Sequence, residues 1–266
     1  MSRMSARWIA LLLSPTLALV GGGGAGRVAA QAQTPVVPAH EAPPLEPAAM
    51  DTLKRMSALL KNAKSFTFTY RSAHEQVAQT GQMVDFIHLS RVTLVRPNRL
   101  RIEVAGDIRN SVLTYDGKIV TFLDPTQKFY SQLDAPGSID ETLTLLMDKF
   151  QTSFPVAGVM FADPYEKMKD GLKTAIDLGV TKVDGVDCRH LLFGEDEADW
   201  QVWVEAGKQP LPRRLSIVYK NTPGAPRVLA AFSDWKINPA VPAARFAFVK
   251  PSGATKVEIK AGAPGN

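Results

Sequence analysis

The chain has 266 residues, of which 45% are hydrophobic and 21% are charged, with a formal net charge of +5. Three arginines and no acidic residue lie in residues 1–30, so the remaining chain carries only +2. A net charge of +2 is too small to indicate a nucleic-acid partner. Cys188 is the only cysteine, so no intramolecular disulfide forms and the fold depends on its hydrophobic core.

The first 30 residues have the pattern of a secretory signal peptide. Arg3 and Arg7 precede an apolar run over residues 8–20, and small residues lead to a cleavage site near Ala30. The apolar run is too short to span a bilayer and is interrupted at residues 14–16. We therefore expect a cleaved signal peptide, a periplasmic location and no transmembrane anchor.

Composition divides the remaining chain into a leader, one domain and a tail. Residues 31–47 are rich in proline and alanine without any period, which predicts a disordered leader. A single domain is expected over residues 48–260, followed by a flexible tail at residues 261–266. Apolar residues spaced by three and four predict an amphipathic helix over residues 47–61.

Alternating apolar and polar residues predict strands in two groups with a helical section between them. The first group covers residues 66–70, 83–95, 99–104, 109–115, 118–123 and 128–133, with turns at Gly81 and Gly117. Ser138 and Glu141 have the spacing of a capping box, and Asp163-Pro164 begins a second short helix. The second group covers residues 175–182, 186–193, 199–205, 210–219, 227–235 and 246–248.

The hairpin over residues 199–219 is unusual because it places tryptophan on both faces of a strand. Trp200, Val202 and Val204 share one face, whereas Gln201, Trp203 and Glu205 share the other. This pattern indicates a curved sheet with a core on one side and a partner or ligand on the other. The predicted fold is mainly β (α+β), with about ten strands in a curled antiparallel sheet, or incomplete β-barrel, and helices covering its concave face.

Several ordered motifs make the sequence resemble the exported bacterial family named domain of unknown function 2092. They are Val-Arg-Pro-Asn-Arg-Leu at residues 95–100, Tyr-Asp-Gly-Lys at 115–118, Ala-Pro-Gly-Ser-Ile-Asp at 135–140, Gly-Val-Asp-Cys-Arg-His-Leu at 185–191, Asp-Trp-Gln-Val-Trp at 199–203, Pro-Leu-Pro-Arg at 210–213 and Asp-Trp at 234–235. The resemblance covers residues 50–256. That family is similar in turn to periplasmic lipoprotein carriers (LolA/LolB-like), which implies a half-barrel whose hydrophobic cavity is lidded by helices. It implies no catalytic residues.

The aromatic and aliphatic strand faces are the candidate ligand-binding surface. Ten residues are candidates to line a cavity: Phe66, Phe68, Phe86, Val92, Leu94, Leu100, Ile102, Val104, Trp200 and Val202. The alternative is that they form an ordinary packed core, because small half-barrels either fill with side chains or hold one ligand.

Three polar groups are weaker candidates for chemistry. Cys188 and His190 share a strand face, but two more ligands, or one more at an open site, would be needed for zinc, so a buried thiol beside a half-exposed histidine is favoured. His74 and His88 meet across the hairpin at Gly81, most simply as a solvated cross-strand pair. The acidic residues at 195–199 lack calcium-loop spacing and indicate a solvated loop. No cofactor, metal or catalytic residue is expected.

Three functions compete on this basis. The first is a non-enzymatic periplasmic carrier or sensor of a lipid, acyl chain or lipoprotein. The second is an envelope protein-interaction or stress-regulatory module, with Trp203 and Arg213 as its interaction surface. The third, a hydrolase or metalloenzyme using His74, His88, Cys188 or His190, is the least favoured. We expect a monomer without a nucleic-acid partner.

Overall fold

The computed structural model describes residues 45–135, 137–150 and 154–258. Helix α1 is Pro47–Asn62, α2 is Ile139–Phe150 and α3 is Pro164–Lys169, with 3-10 turns at Ala157–Val159 and Ala243–Phe246. The expected signal peptide, most of the leader and the tail lie outside the described residues. The division into these segments therefore stays a prediction.

Twelve strands form one sheet in the described part of the chain. They are β1 Ser65–Val77, β2 Met83–Val95, β3 Arg99–Gly106, β4 Asn110–Tyr115, β5 Ile119–Asp124, β6 Phe129–Asp134, β7 Thr174–Val183, β8 Val186–Gly194, β9 Ala198–Glu205, β10 Pro212–Tyr219, β11 Arg227–Ile237 and β12 Thr255–Lys256.

The sheet is two antiparallel meanders joined at one seam. Its order is β12-β6-β5-β4-β3-β2-β1-β11-β10-β9-β8-β7, so the seam is the pairing of β1 with β11. The edge strands β12 and β7 do not pair with each other, and the curled sheet stays open. The predicted incomplete barrel is confirmed. The sheet is mixed rather than wholly antiparallel, because β12 runs parallel to β6.

Turn chemistry explains why the predicted hairpins form. Gly117 has φ of +99° between β4 and β5, a conformation that side chains other than glycine rarely adopt. The Asp116 carboxylate accepts hydrogen bonds of 2.9 Å from the backbone N–H groups of Lys118 and Ile119. The Asp-Gly pair therefore fixes the reversal through both its backbone and its side chain.

Helices α2 and α3 begin at the capping residues that the sequence predicts. The Ser138 hydroxyl accepts a 3.2 Å hydrogen bond from the Glu141 N–H and donates one of 2.8 Å to the Glu141 carboxylate. Asp163 caps α3 by accepting a 3.3 Å hydrogen bond from the N–H of Glu166, with Pro164 in the first helical position. Both starts were predicted from these residue types.

The core lies on the concave face of the sheet. Phe66, Phe68, Leu94 and Leu100 from β1–β3 are fully buried there, in one cluster with the apolar side of α1. Arg96 locks the adjoining segments together, since its guanidinium donates to the carbonyl oxygens of three residues, Leu60, Met160 and Phe161. The end of α1 is thereby fastened to the segment before α3.

Residues 238–257 form a C-terminal strap across the convex face. The Asn238 side chain accepts a 2.7 Å hydrogen bond from the N–H of Lys64 before β1, and Arg245 pairs with Glu103 of β3. Phe248 packs against Tyr130 of β6, with ring centroids 4.9 Å apart. The strap ends in β12, whose pairing with β6 completes the span.

The predicted strand at residues 246–248 is wrong. Phe246 belongs to a 3-10 turn, and the last strand is β12, at Thr255–Lys256. Alternating apolar residues suggest a strand, but the strap crosses strands whose backbone groups are already paired with one another. Phe246 and Phe248 therefore contribute side-chain packing only.

Candidate ligand cavity

A cavity of about 320 Å³ lies on the concave side of the second meander. Strands β9, β10 and β11 form one wall, and the other is formed by α1 together with the helical section between β6 and β7. Its interior is apolar, and its polar lining comes largely from turns and helix ends. The volume of the cavity lies at the lower end of the range found for small-molecule sites, roughly 300–1,000 Å³.

The strand wall is built by alternation and register. Val202 of β9 faces Leu215 of β10, and Trp200 of β9 faces Ile217 of β10. Phe232 of β11 completes this wall. Because alternate residues of a strand share a face, these side chains point to the same concave side.

The helical wall is rich in methionine. Met56 of α1, Met147 of α2 and Met168 of α3 line the cavity, together with Val159 and Phe161 from the segment between α2 and α3. Thioether side chains are flexible and polarisable, and they adapt to ligands of irregular shape.

The charged part of the cavity lining is mostly acidic, and we call it the mouth because its members Asp148 and Asp170 are exposed to solvent. Glu195 and Glu197, in the turn between β8 and β9, line it together with Asp148, Asp170 and Lys167. The Trp200 indole N–H donates a 2.7 Å hydrogen bond to Oε1 of Glu195. Burial raises the pKa of Glu195, and the hydrogen bond from Trp200 opposes that rise.

Tyr219, Asn221 and Thr222 add uncharged polar groups to this lining. Burial raises the pKa of Tyr219 to about 12, so its phenol stays protonated at every physiological pH. The lining therefore offers hydroxyl and amide groups beside the carboxylates.

Of the ten candidate ligand-binding residues, Trp200 and Val202 line this cavity. The other eight lie on the concave face of β1–β3 outside it, and six of them are buried while Phe86 and Val104 are partly exposed. The ligand-binding role of all ten stays a prediction.

Sequence reasoning missed most of the cavity lining. Leu215, Ile217 and Phe232 alternate correctly in their strands, and pairing β10 with β9 would have placed two of them beside Val202 and Trp200. The acidic turn was expected to be a solvated loop, yet Glu195 and Glu197 line the cavity. Nothing in the sequence alone shows that this turn lies at the cavity mouth.

Trp203 and Arg213, the candidate interaction residues, are both engaged within the domain. The Trp203 ring stacks on His190, with centroids 4.1 Å apart and planes 15° apart, and the Arg214 guanidinium lies 5.6 Å from the indole centroid. Arg213 forms an ion pair with Glu205. Both side chains are partly exposed, and their role as an interaction surface stays a prediction.

His74 and His88 lie close together, as predicted, with ring centroids 5.2 Å apart. They are diagonal rather than directly opposite, because His88 faces Ser72 and His74 faces Phe86. His88 is 95% buried rather than solvated, and neither ring nitrogen has a hydrogen-bond partner. The pKa of His74 is lowered to about 4, mainly by burial and in smaller part by the charges of His88 and Arg109.

Cys188 is fully buried, and burial raises the pKa of its thiol. His190 is only partly buried and its Nε2 lies 2.9 Å from Oε1 of Gln201. This is the predicted pairing of a buried thiol with a half-exposed histidine. Among residues 45–135, 137–150 and 154–258, no group of three or more His, Cys, Asp or Glu is placed to hold a metal ion.

None of the described helices combines the length and hydropathy needed to cross a bilayer. The fold and the cavity define a curled, open β-sheet protein with an apolar interior covered by helices. The chain belongs to the DUF2092 family, described as predicted periplasmic protein, whose model matches residues 49–260. No curated protein matches the chain.

Solved structures with a similar chain path include three bacterial proteins. An uncharacterised conserved protein from Thermus thermophilus has 12% identity and a TM-score of 0.46, covering 79% of this chain and 99% of that one. The lipoprotein LppX from Mycobacterium tuberculosis has 13% identity and a TM-score of 0.37, covering 74% and 99%. A LolA superfamily protein from Nitrosomonas europaea has 10% identity and a TM-score of 0.35, covering 75% and 97%.

Proposed function

We propose that this protein is a non-enzymatic periplasmic binding protein that holds a lipid or acyl chain in the cavity between β9–β11 and the helices. The observation that carries the proposal is the open apolar cavity itself, lined by Val202, Leu215, Ile217 and Phe232 on its strand side. Elsewhere in the concave face most of the apolar residues of β1–β3 are packed into the core.

Apolar burial supplies the driving force for such binding. Each Å² of apolar surface removed from water contributes about 25 cal/mol before the costs of association are subtracted. The methionines of α1, α2 and α3 can adjust their rotamers around a flexible chain. The cavity therefore suits an apolar chain better than a rigid polar metabolite.

The family description and the N-terminal pattern together support the periplasm as the place of binding. The family is described as periplasmic, and residues 1–30 have the charge and apolar pattern of a signal peptide. The interior of the cavity is lined by apolar side chains, which favours capture over chemistry.

The test compares what copurifies with wild-type protein and with a variant whose cavity is filled. Leu215→Trp adds bulk to the cavity wall, whereas Leu178→Trp makes the same change at a half-exposed position of β7. After export to the periplasm and purification, organic extraction and mass spectrometry should find a lipid in wild type and in Leu178→Trp. The amount should be greatly reduced in Leu215→Trp.

A wild-type extract with no apolar molecule above the Leu215→Trp background would overturn the proposal. Circular dichroism and urea unfolding of both variants show whether Leu215→Trp is folded, so that loss of the fold is not counted as loss of binding.

A further inference from the structure

Acidic side chains outnumber basic ones in the lining of the cavity. Asp148, Asp170, Glu195 and Glu197 supply four carboxylates, and Lys167 supplies the one amine among the described lining residues. Lys167 is turned toward an aromatic ring, because its Nζ lies 5.0 Å from the ring centroid of Phe161. The lining therefore presents a net negative charge to any ligand.

One carboxylate oxygen at the mouth lacks a partner. Oε2 of Glu197 is buried and has no hydrogen bond within the described structure. An unpaired buried acceptor on a charged group is unfavourable, since it has given up its water without replacement. A donor delivered by a ligand would satisfy it.

The neighbouring carboxylate is held in place. Glu195 accepts from the Trp200 indole, and Lys220, the nearby cation, is paired with Asp199 at 2.9 Å. Lys220 also donates to the backbone oxygen of Glu195, so its ammonium is already engaged by the turn. The turn itself therefore does not neutralise the carboxylate of Glu197.

Aromatic faces lie in the same cavity. Trp200 and Phe161 both line it, and an aromatic face attracts a cation through its quadrupole, most strongly in the case of tryptophan. Lys167 already lies over the Phe161 ring, so Trp200 is the ring that remains for a ligand. Carboxylates and aromatic rings together are the surroundings that a substituted ammonium group prefers.

We infer that the ligand is a cationic amphiphile, an apolar chain or ring system ending in a basic amine or quaternary ammonium group. This inference rests on the proposed function. The apolar part occupies the space between β9–β11 and the helices, and the ammonium lies at the mouth near Glu197 and Glu195. Fatty acids and anionic phospholipids are disfavoured, because their head groups would face four carboxylates.

The first step of the test measures binding without charge. N-phenyl-1-naphthylamine is uncharged at pH 8 and gains fluorescence in apolar sites, so it reports whether the cavity takes an apolar molecule. Wild type and Leu178→Trp should bind it and Leu215→Trp should not. Absence of binding to wild type, or equal binding to Leu215→Trp, defeats the proposed function and this inference with it.

The second step compares head groups on one chain length. Dodecyltrimethylammonium, dodecyl maltoside and dodecanoate are each titrated below their micelle concentration, at pH 8 and low salt, to displace the naphthylamine. The ammonium compound should displace it at a concentration lower than dodecanoate by at least about tenfold, and added salt should narrow the gap. Dodecanoate equal to or better than the ammonium compound overturns the inference while leaving the proposed function intact.

Two variants test whether Glu197 causes the preference for the ammonium head group. Glu197→Gln removes the unpartnered carboxylate without changing its shape, and the preference should fall by about threefold or more. Asp196→Asn removes the same charge from the same turn at a highly exposed position outside the cavity lining, and it should keep the preference. Equal loss in both variants would overturn the assignment to Glu197, and the wild-type head-group series decides the inference even if Glu197→Gln does not fold.

Discussion

The indole N–H of Trp200 donates a 2.7 Å hydrogen bond to Oε1 of Glu195, so the aromatic wall of the cavity is fastened to its acidic mouth. The same indole stacks on Phe193, with ring centroids 4.1 Å apart. Because Trp200 contacts the core, the cavity and the mouth, its substitution should affect both the stability of the domain and ligand binding.

Trp200→Phe should destabilise the domain by about 2 kcal/mol, because the partly buried carboxylate of Glu195 loses its donor while the ring stacking is largely kept. Urea unfolding measures the change. Trp203→Phe is the matched control on the convex face, and it should cost less than about 1 kcal/mol. A larger loss for Trp203→Phe than for Trp200→Phe would contradict this account.

Tryptophan fluorescence should report ligand binding through Trp200. A ligand in the cavity contacts this indole, whereas Trp203 lies on the other face of β9. The change in emission on adding an apolar ligand should therefore disappear in Trp200→Phe and remain in Trp203→Phe. Persistence of the full signal in Trp200→Phe would show that the ligand binds elsewhere.

Acidification should weaken the fold through His74. Burial, with smaller contributions from the charges of His88 and Arg109, lowers its pKa to about 4, whereas an imidazole in the unfolded chain titrates near 6.5. The unfolded chain therefore binds more protons between these values. Stability is fully present above about pH 6.5 and should fall toward pH 4 with a slope of up to about 1.4 kcal/mol per pH unit from this group.

Urea midpoints at a series of pH values test this slope. His74→Gln should flatten the decline but not abolish it, because burial and the charge of Arg109 also lower the pKa of His88 while Asp107 opposes that shift. An unchanged slope in His74→Gln would show that other groups govern the acid sensitivity.

Arg96→Met should cost about 3 kcal/mol. The guanidinium donates to carbonyl oxygens from two segments of the chain and lies 5.6 Å from the Phe66 ring centroid, so its removal leaves several acceptors unpaired. Arg91→Met is the control, since Arg91 is exposed on the convex side of β2. Comparable losses in the two variants, measured by urea unfolding, would be inconsistent with this role.

Phe246→Ala should cost about 3–5 kcal/mol, because this side chain of the C-terminal strap is 99% buried and its removal opens a cavity. Phe129→Ala, at a residue that is 46% exposed, should cost less than about 1 kcal/mol. Calorimetric unfolding compares the two. A mild effect of Phe246→Ala would mean that the strap contributes little to stability.

The sequence predicts the strands well because one face of each strand is more apolar than the other. The sequence of β9 alternates Trp200, Val202 and Val204 with Gln201, Trp203 and Glu205, and the structure places the first three side chains in the interior. The Asp-Gly turn and the capping residues fix where elements begin and end. Local chemistry thus determined most of the elements and their order.

Properties that depend on several distant segments could not be predicted. Phe66 and Phe68 have the same alternation as Leu215 and Ile217, yet the first pair is packed in the core and the second lines the cavity. The difference depends on where the helices lie over the sheet, which no strand pattern encodes. The strap was missed for a similar reason, since Phe246 alternates like a strand residue but has no strand to pair with.

The pairing of β1 with β11 leaves one edge of β1 open until the last long strand of the chain has been synthesised. A ribosome delivers β1–β6, with the backbone groups of one edge of β1 unpaired, long before Arg227–Ile237 appears. Such an open edge can recruit other strands, so this interval favours aggregation. Phe232, a wall of the cavity, arrives on the very strand that closes the edge. The strand that covers this edge of β1 is therefore the same strand that completes the wall of the cavity.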